Sequence, residues 1–246
     1  YYEDARTDDV RLTLRLIFEA IAEGGEARSY TPVSALHREQ GRVAGVVVDG
    51  QVIRAHSVVN AAGAWADGLG GDAPKLRPLR GSHLLFARDQ LPVTLAVSWL
   101  HPEDRRPVFA FPWEGVVLLG TTDLDHDQGL HAPRVTAAEA EYLIAGLRHA
   151  FPALALQAKD AVAAFAGVRP VVAGGAAKPS DESRESAMWS EPGLVGITGG
   201  KLTTFRVTAR KVLSALAKQN PRLTPAADER LFCDRGDGRL AGRYGG

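Results

Sequence analysis

Sulfur is scarce in this chain: one cysteine, Cys233, and one methionine, which does not stand at position 1, among 246 residues. A lone cysteine excludes an intrachain disulfide framework and suits a reducing compartment, read here as the cytoplasm. No run approaches the roughly 20 consecutive apolar residues of a membrane-spanning helix, and Tyr1 leads directly into charged residues, so neither a span nor a signal peptide is expected. Excess charge is missing too. Lys and Arg together number 29, as do Asp and Glu, and a formal net charge of zero offers no global attraction to nucleic acid or to an acidic membrane surface. Any basic site must then be local. No internal repeat or low-complexity tract suggests a solenoid, and no metal site is expected. The opening YYEDARTDDV reads as the start of a piece from inside a longer protein.

What remains is a composition able to bury a core, with 45% hydrophobic and 24% charged residues. Asp8 and Asp9 start a predicted helix that runs to Ala22 and stops at Gly24-Gly25. Strands are predicted over 29–36, 42–48 and 52–60, with Asp49-Gly50 as the strongest hairpin signal. Small residues after Asn60 lead into a short helix. A second group of strands is predicted over 78–87, 91–99, 107–112 and 116–121 and reads as one antiparallel sheet. Thr136 to Glu139 has the T-x-x-E form of a capping box and opens a helix that ends near Pro152. A strand over 161–168 leads to Arg169-Pro170, read as a stiff turn, and a loose stretch covers 173–183. A strand over 194–198 is followed by Gly199-Gly200 and a helix over 201–218. Residues 236–246 read as a mobile tail. The fold class is α+β.

The dinucleotide fingerprint G-x-G-x-x-G/A occurs formally at Gly68-Leu69-Gly70-Gly71-Asp72-Ala73. Its mechanism needs a strand before the turn and a helix after it, so that the helix N-terminus faces the pyrophosphate; here a helix precedes and Pro74 follows, so a glycine-rich loop is the better reading. The run from Gly196 to Arg206 is more informative. Two glycines between a strand and a helix let unpaired backbone N–H groups approach a ligand closely, at the helix end that stabilises negative charge. A plain capped helix fits the pattern equally well. Among the seven histidines, His83 on its strand is the best candidate for a base or hydrogen-bond donor. Asp123 is read as ordering its own turn.

Five motifs stand in a fixed order: Arg80-Gly81-Ser82-His83, Gly120-Thr121-Thr122-Asp123, Gly167-Val168-Arg169-Pro170, Ser183-Arg184-Glu185, and Gly199-Gly200-Lys201-Leu202-Thr203-Thr204-Phe205-Arg206. Together they resemble the FAD-dependent glycerol-3-phosphate dehydrogenases over about residues 1 to 218, and Asn60-Ala61-Ala62-Gly63-Ala64-Trp65 resembles that family's segment where a strand returns to the cofactor. No one motif is decisive, but five in register are specific. Ser186, where relatives often carry His or Tyr, and Phe205, where they often carry Tyr, depart from the pattern.

The resemblance implies a partial FAD-binding domain joined to an antiparallel substrate-binding sheet, as in the wider superfamily of glutathione reductase and D-amino-acid oxidase. Its expected divisions are 1–77 for the partial FAD domain, 78–170 for the substrate domain, 171–220 for the return with a flavin-capping helix, and 221–246 for a tail or the start of another domain. It places Arg169 and His83 at the reacting carbon, Arg184 and Lys201 at the substrate phosphate, and Ala62, Gly63, Gly199, Gly200, Leu202, Thr203 and Thr204 at FAD. The implied reaction is oxidation of sn-glycerol 3-phosphate to dihydroxyacetone phosphate, with electrons passed to quinone, peripheral contact at the inner membrane face, and room for a homodimer. An amine or amino-acid oxidase of the same fold, and a non-catalytic anion-binding fragment, are the alternatives. The family's N-terminal glycine-rich βαβ unit has no counterpart in this sequence, so the isolated chain is expected to be colourless and inactive.

Overall fold

A computed structural model describes residues 7–71, 73–175, 182 and 185–224. Ser183, Arg184, Cys233 and the glycine-rich tail therefore lie outside the described residues. The chain divides into two compact units, one formed by 1–58, 192–194 and 202–246 and the other by 59–191 and 195–201.

In the first unit, helix α1 (Asp9–Ala22) begins where the aspartates predict, with the Asp8 carboxylate accepting from the Arg11 N–H at 2.9 Å. Strands β1 (Val33–Glu39), β2 (Arg42–Val48) and β3 (Gln51–Arg54) form an antiparallel meander. Asp49 and Gly50 both have positive φ (48° and 75°) between paired Val48 and Gln51, as the hairpin signal requires. Helix α3 starts at Phe205 and runs to Gln219, burying Val212 and Leu216. It begins later than predicted because residues Leu202–Thr204 take a tighter 3₁₀ turn first.

The second unit is built on a six-stranded sheet. Strands β5 (Leu76–Ala87), β6 (Val97–Leu100), β7 (Pro107–Trp113), β8 (Val116–Gly120) and β10 (Ala163–Val172) run in the order β10-β5-β8-β7-β6, with β9 (Leu124–Asp125) added to β5. All its pairings are antiparallel. Helix α2 (Ala137–Ala150) lays Leu143, Ile144 and Leu147 on Leu84, Phe86, Val108, Val117 and Leu119, the alternate residues of three strands, which is the burial that specifies the register. A second, three-stranded sheet has the order β11-β12-β4, from Ala187–Glu191, Leu194–Thr198 and Val58–Asn60. The short helix after Asn60 is 3₁₀, Gly63–Leu69, so the glycine-rich segment that follows has no strand–turn–helix setting.

Three sequence expectations need correction. Residues 52–60 are not one strand: β3 ends at Arg54, and Val58–Asn60 pairs in the other three-stranded sheet. Residues 91–96 are not strand: Leu91 and Val93 are buried as loop residues, and an apolar run alone cannot distinguish the two. Arg169 and Pro170 are not a turn either, because β10 continues through them to Val172. Pro170 lies opposite Pro78. Two facing prolines have no N–H to exchange, which fits a non-hydrogen-bonded pair, and β10 is an edge strand of its sheet, where proline is tolerated. Among the described residues no helix is long and apolar enough to cross a membrane.

Candidate active site

The site grows out of one row of residues across the six-stranded sheet. Register aligns Ser98 with Phe109, Phe109 with Gly120, Gly120 with His83 and His83 with Phe165, so four side chains project from the face opposite α2 with Gly120 among them. The missing side chain at Gly120 is what lets the histidine lie down. A Cβ there would come within 2.2 Å of His83 Cδ2. The imidazole stacks on Phe165, with centroids 4.7 Å apart and planes 10° from parallel, and Phe109 flanks it at 6.2 Å. Its Nδ1 is buried and has no hydrogen-bond partner among the described residues. Burial, and then the nearby Arg169 charge, push the His83 pKa down to about 4, so the ring is neutral at pH 7.

Arg169 projects from β10 on the same face. Its Nη1 donates to Asp123 Oδ1 at 2.8 Å and its Nη2 reaches Thr121 Oγ1 at 3.4 Å. The guanidinium lies across Gly81: a Cβ there would be 2.7 Å from Nη2 and 2.8 Å from Thr121 Oγ1. Gly167, paired with Gly81, has open space where a side chain would be. Glycines thus form a floor beside which a neutral imidazole and a permanent cation stand. Asp123 does more than order its turn, since it also receives Arg106 Nη2 on Oδ2 at 3.0 Å.

The intervening residues of the same motifs point the other way. Arg80, Ser82 and Thr122 all reach one carboxylate, Glu139: Arg80 Nε at 3.1 Å, Ser82 Oγ at 2.8 Å and Thr122 Oγ1 at 2.9 Å. Glu139 also completes the capping box of α2 opened by Thr136, accepting from the Thr136 N–H at 3.0 Å. Burial alone would raise its pKa, but the Arg80 guanidinium, the Thr136 N–H and the Ser82 hydroxyl outweigh that and hold it at about 2. Sequence reasoning saw Glu139 only as a cap. The period-two alternation of Arg80 and Ser82 with Gly81 and His83 was the signal that this face needed a buried acceptor.

The remaining candidates divide. Ala62 and Gly63 follow β4, with Asn60 Oδ1 accepting from the Ala62 N–H at 3.2 Å and Asn60 Nδ2 donating to the Ala66 carbonyl at 2.9 Å. Gly63 has φ +57° with open space above it, and Thr198 Oγ1 donates to its carbonyl at 3.2 Å. Gly199 and Gly200 both have positive φ, 71° and 86°. A Cβ at Gly199 would lie 2.9 Å from the Glu185 carbonyl oxygen and 3.5 Å from that of Pro170, so this glycine serves local packing beside the residue that follows Arg169. Lys201 is exposed at the end of the same unit, while Leu202, Thr203 and Thr204 belong to the other. Among the described residues no group of three or more His, Cys, Asp or Glu side chains could hold a metal ion.

Comparison with known proteins bears on this geometry. The family described as FAD dependent oxidoreductase matches residues 1–212. The aerobic glycerol-3-phosphate dehydrogenase of Bacillus subtilis is 36% identical over 225 residues, which are 87% of this chain but 40% of that protein. The same enzyme of Staphylococcus aureus is 34% identical over 232 residues, covering 89% of this chain and 42% of its own length. The chain thus spans well under half of the curated relatives it matches. The glycerol-3-phosphate dehydrogenase from Bacillus halodurans, solved in complex with FAD, superposes with a TM-score of 0.79 at 35% identity, over 90% of this chain and 45% of that one. A glycine oxidase from Bacillus cereus, at 18% identity and a TM-score of 0.59 over 87% of this chain and 56% of its own, shares the fold. With most of its length matched and the α+β fold in common, the chain belongs to the FAD-dependent oxidoreductase family.

Proposed function

We propose that the intact protein containing this chain oxidises sn-glycerol 3-phosphate to dihydroxyacetone phosphate with FAD and passes the electrons to a quinone. The observation that carries this reading is the pairing of His83, kept neutral, with Arg169, held charged beside it over the glycine floor. A neutral imidazole can take the proton of the C2 hydroxyl, and a guanidinium cannot lose its own, so Arg169 stabilises the oxygen as negative charge develops on it. Lys201 meets the phosphate, a role Arg184 shares by resemblance. The backbone at Ala62-Gly63 and Gly199-Gly200 fits the ring end of FAD: positive φ exposes N–H groups, and the space above Gly63 is open. Bound FAD supplies the acceptor for the hydride that leaves C2. Leu202, Thr203 and Thr204 lead into α3, the helix assigned to cap the flavin. We read the protein as cytoplasmic with peripheral membrane contact, which delivers the electrons to quinone, and as a homodimer.

The test is Arg169→Ala in the full-length protein. Flavin content should persist while anaerobic flavin bleaching by glycerol 3-phosphate slows by about 10²–10³-fold. Bleaching at the normal rate would overturn the assignment, and faster turnover of glycine or sarcosine than of glycerol 3-phosphate would favour the amino-acid oxidase reading. Residues 1–246 alone should purify without flavin, because no described segment offers a strand, glycine turn and helix to the pyrophosphate. A near-stoichiometric flavin spectrum from that chain would contradict this.

A further inference from the structure

Among the described residues five glycines stand inside strands, Gly45, Gly81, Gly120, Gly167 and Gly196. Glycine weakens a strand, so each calls for a reason. Four of them have one within the protein. A Cβ at Gly45 would run into the Ile53 carbonyl, one at Gly81 into the Arg169 guanidinium, one at Gly120 into the His83 ring and one at Gly196 into the Trp189 ring. Gly167 differs from all four. Nothing among the described residues lies within 4 Å of where its Cβ would stand, and its φ is outside the left-handed region, so an ordinary residue could adopt its backbone.

The surroundings say what the space is for. In the register of β10 and β5, Phe165 faces His83, Gly167 faces Gly81 and Arg169 faces Leu79. Positions 165, 167 and 169 share one face of β10, so the Phe165 ring and the Arg169 guanidinium rise from Cα atoms about 13 Å apart with Gly167 midway between them. Across the ladder the place over Gly81 is taken, because the guanidinium lies there. The space over Gly167 is therefore bounded by the stacked Phe165 and His83 rings on one side and by the guanidinium on the other, and Gly167 itself is exposed. Neither packing nor backbone conformation requires a glycine at this position. A strand glycine that both leave unexplained marks the close approach of a ligand.

We propose that Gly167 is a specificity-determining position: the space left by its missing side chain seats the carbon chain of the substrate between the His83 imidazole and the Arg169 guanidinium, and so limits the bulk carried at the reacting carbon. This rests on the reading of His83 and Arg169 as the active site, while the place of the seat does not depend on which substrate is oxidised.

The experiment uses the full-length flavoprotein and the variants Gly167→Ala and Gly167→Val. Gly167→Ala should unfold at the wild-type temperature or slightly above it, since alanine restricts the unfolded chain and meets nothing in the fold. Flavin content should stay as in the wild type. The dissociation constant of dihydroxyacetone phosphate, read from the absorbance of the oxidised flavin, should rise about tenfold in Gly167→Ala and about 100-fold or more in Gly167→Val, the scale on which added methyl groups are rejected by a fitted site. The KM for glycerol 3-phosphate should rise in the same order. A lower unfolding temperature in Gly167→Ala would mean that protein fills the space, and a loss of flavin would mean that the cofactor does; either result overturns the proposal, as does product binding that neither variant changes. If the wild-type flavin is bleached by glycine and not by glycerol 3-phosphate, the substrate reading fails instead, and the KM for glycine in the same two variants decides whether Gly167 is the seat.

Discussion

Strand β5 carries polar residues on both of its faces, and the two faces treat them differently. On the α2 side Arg80 and Ser82 meet Glu139 in a network that Thr122 and Thr136 complete, with the carboxylate 1% exposed. On the other side His83 keeps a buried Nδ1 without a described partner, and Arg169 leaves a third of its side chain open. Buried polar groups are normally all paired, because an unpaired one costs about 1–3 kcal/mol. The satisfied face therefore does the work of holding strands and helix together. On the other face the buried His83 Nδ1 keeps hydrogen-bonding capacity for a ligand, and motifs that alternate across a strand supply both kinds of position at once.

The sharpest way to break this comparison is to remove the shared acceptor. Glu139→Ala leaves Arg80 buried without its carboxylate and should cost about 3–5 kcal/mol in urea unfolding, more than Arg169→Ala on the half-open face. Equal losses from the two substitutions would refute the division of labour. The acid limb sharpens it. Glu139 falls from 4.5 to about 2 on folding, so its contribution is present above pH 4.5 and is lost as the pH drops through about 2. Glu139→Gln should flatten the stability profile in that window, which a series of denaturation curves would reveal.

On the open face the effects are smaller. Gly120→Ala places a methyl where the His83 ring lies, so the ring must leave its stack on Phe165; overpacking of this kind costs about 1–3 kcal/mol. Loss of the ring-current shift on the His83 protons in an NMR spectrum would report the displacement, and retained shifts would argue against the seat. The smallest effect at neutral pH is that of His83 ionisation. Its pKa falls from 6.5 to about 4 on folding, so the unfolded chain binds the extra proton between those values and stability declines as the pH falls across them. His83→Phe should remove that slope and leave stability above pH 6.5 nearly unchanged, and a slope that survives the substitution would place the titration elsewhere.

Much of this was legible before any coordinates. Turn chemistry at Asp49-Gly50, the Asp8 cap and the T-x-x-E box are local signals and appear where they should, because the residues that make them also satisfy them. The motifs at 80–83, 120–123 and 167–170 meet across the six-stranded sheet. What could not be read was which neighbour each side chain meets. Asp123 binds Arg106 and Arg169 across 17 and 46 positions of sequence, and Glu139 binds Arg80 across 59, pairings that exist only through tertiary packing of strands, loops and helix. Leu91 and Val93 looked like strand because burial in a loop and burial in a strand leave the same apolar trace. Strand β11 carries no such signal, because it follows a stretch rich in small residues where the local preference for turns is strong.

The proline of β10 carries one last implication. An edge strand offers a ladder of unpaired donors and acceptors to any passing strand, and uncontrolled pairing there leads to aggregation. Opposite Pro78, Pro170 turns its nitrogen away from β5, to the side where Gly199 lies near its carbonyl, and that nitrogen has no hydrogen to give. The gap in the ladder falls one residue from Arg169, so the strand offers no donor at that point of its outer edge. A residue usually explained by backbone stiffness thus also removes a donor from the strand edge beside Arg169.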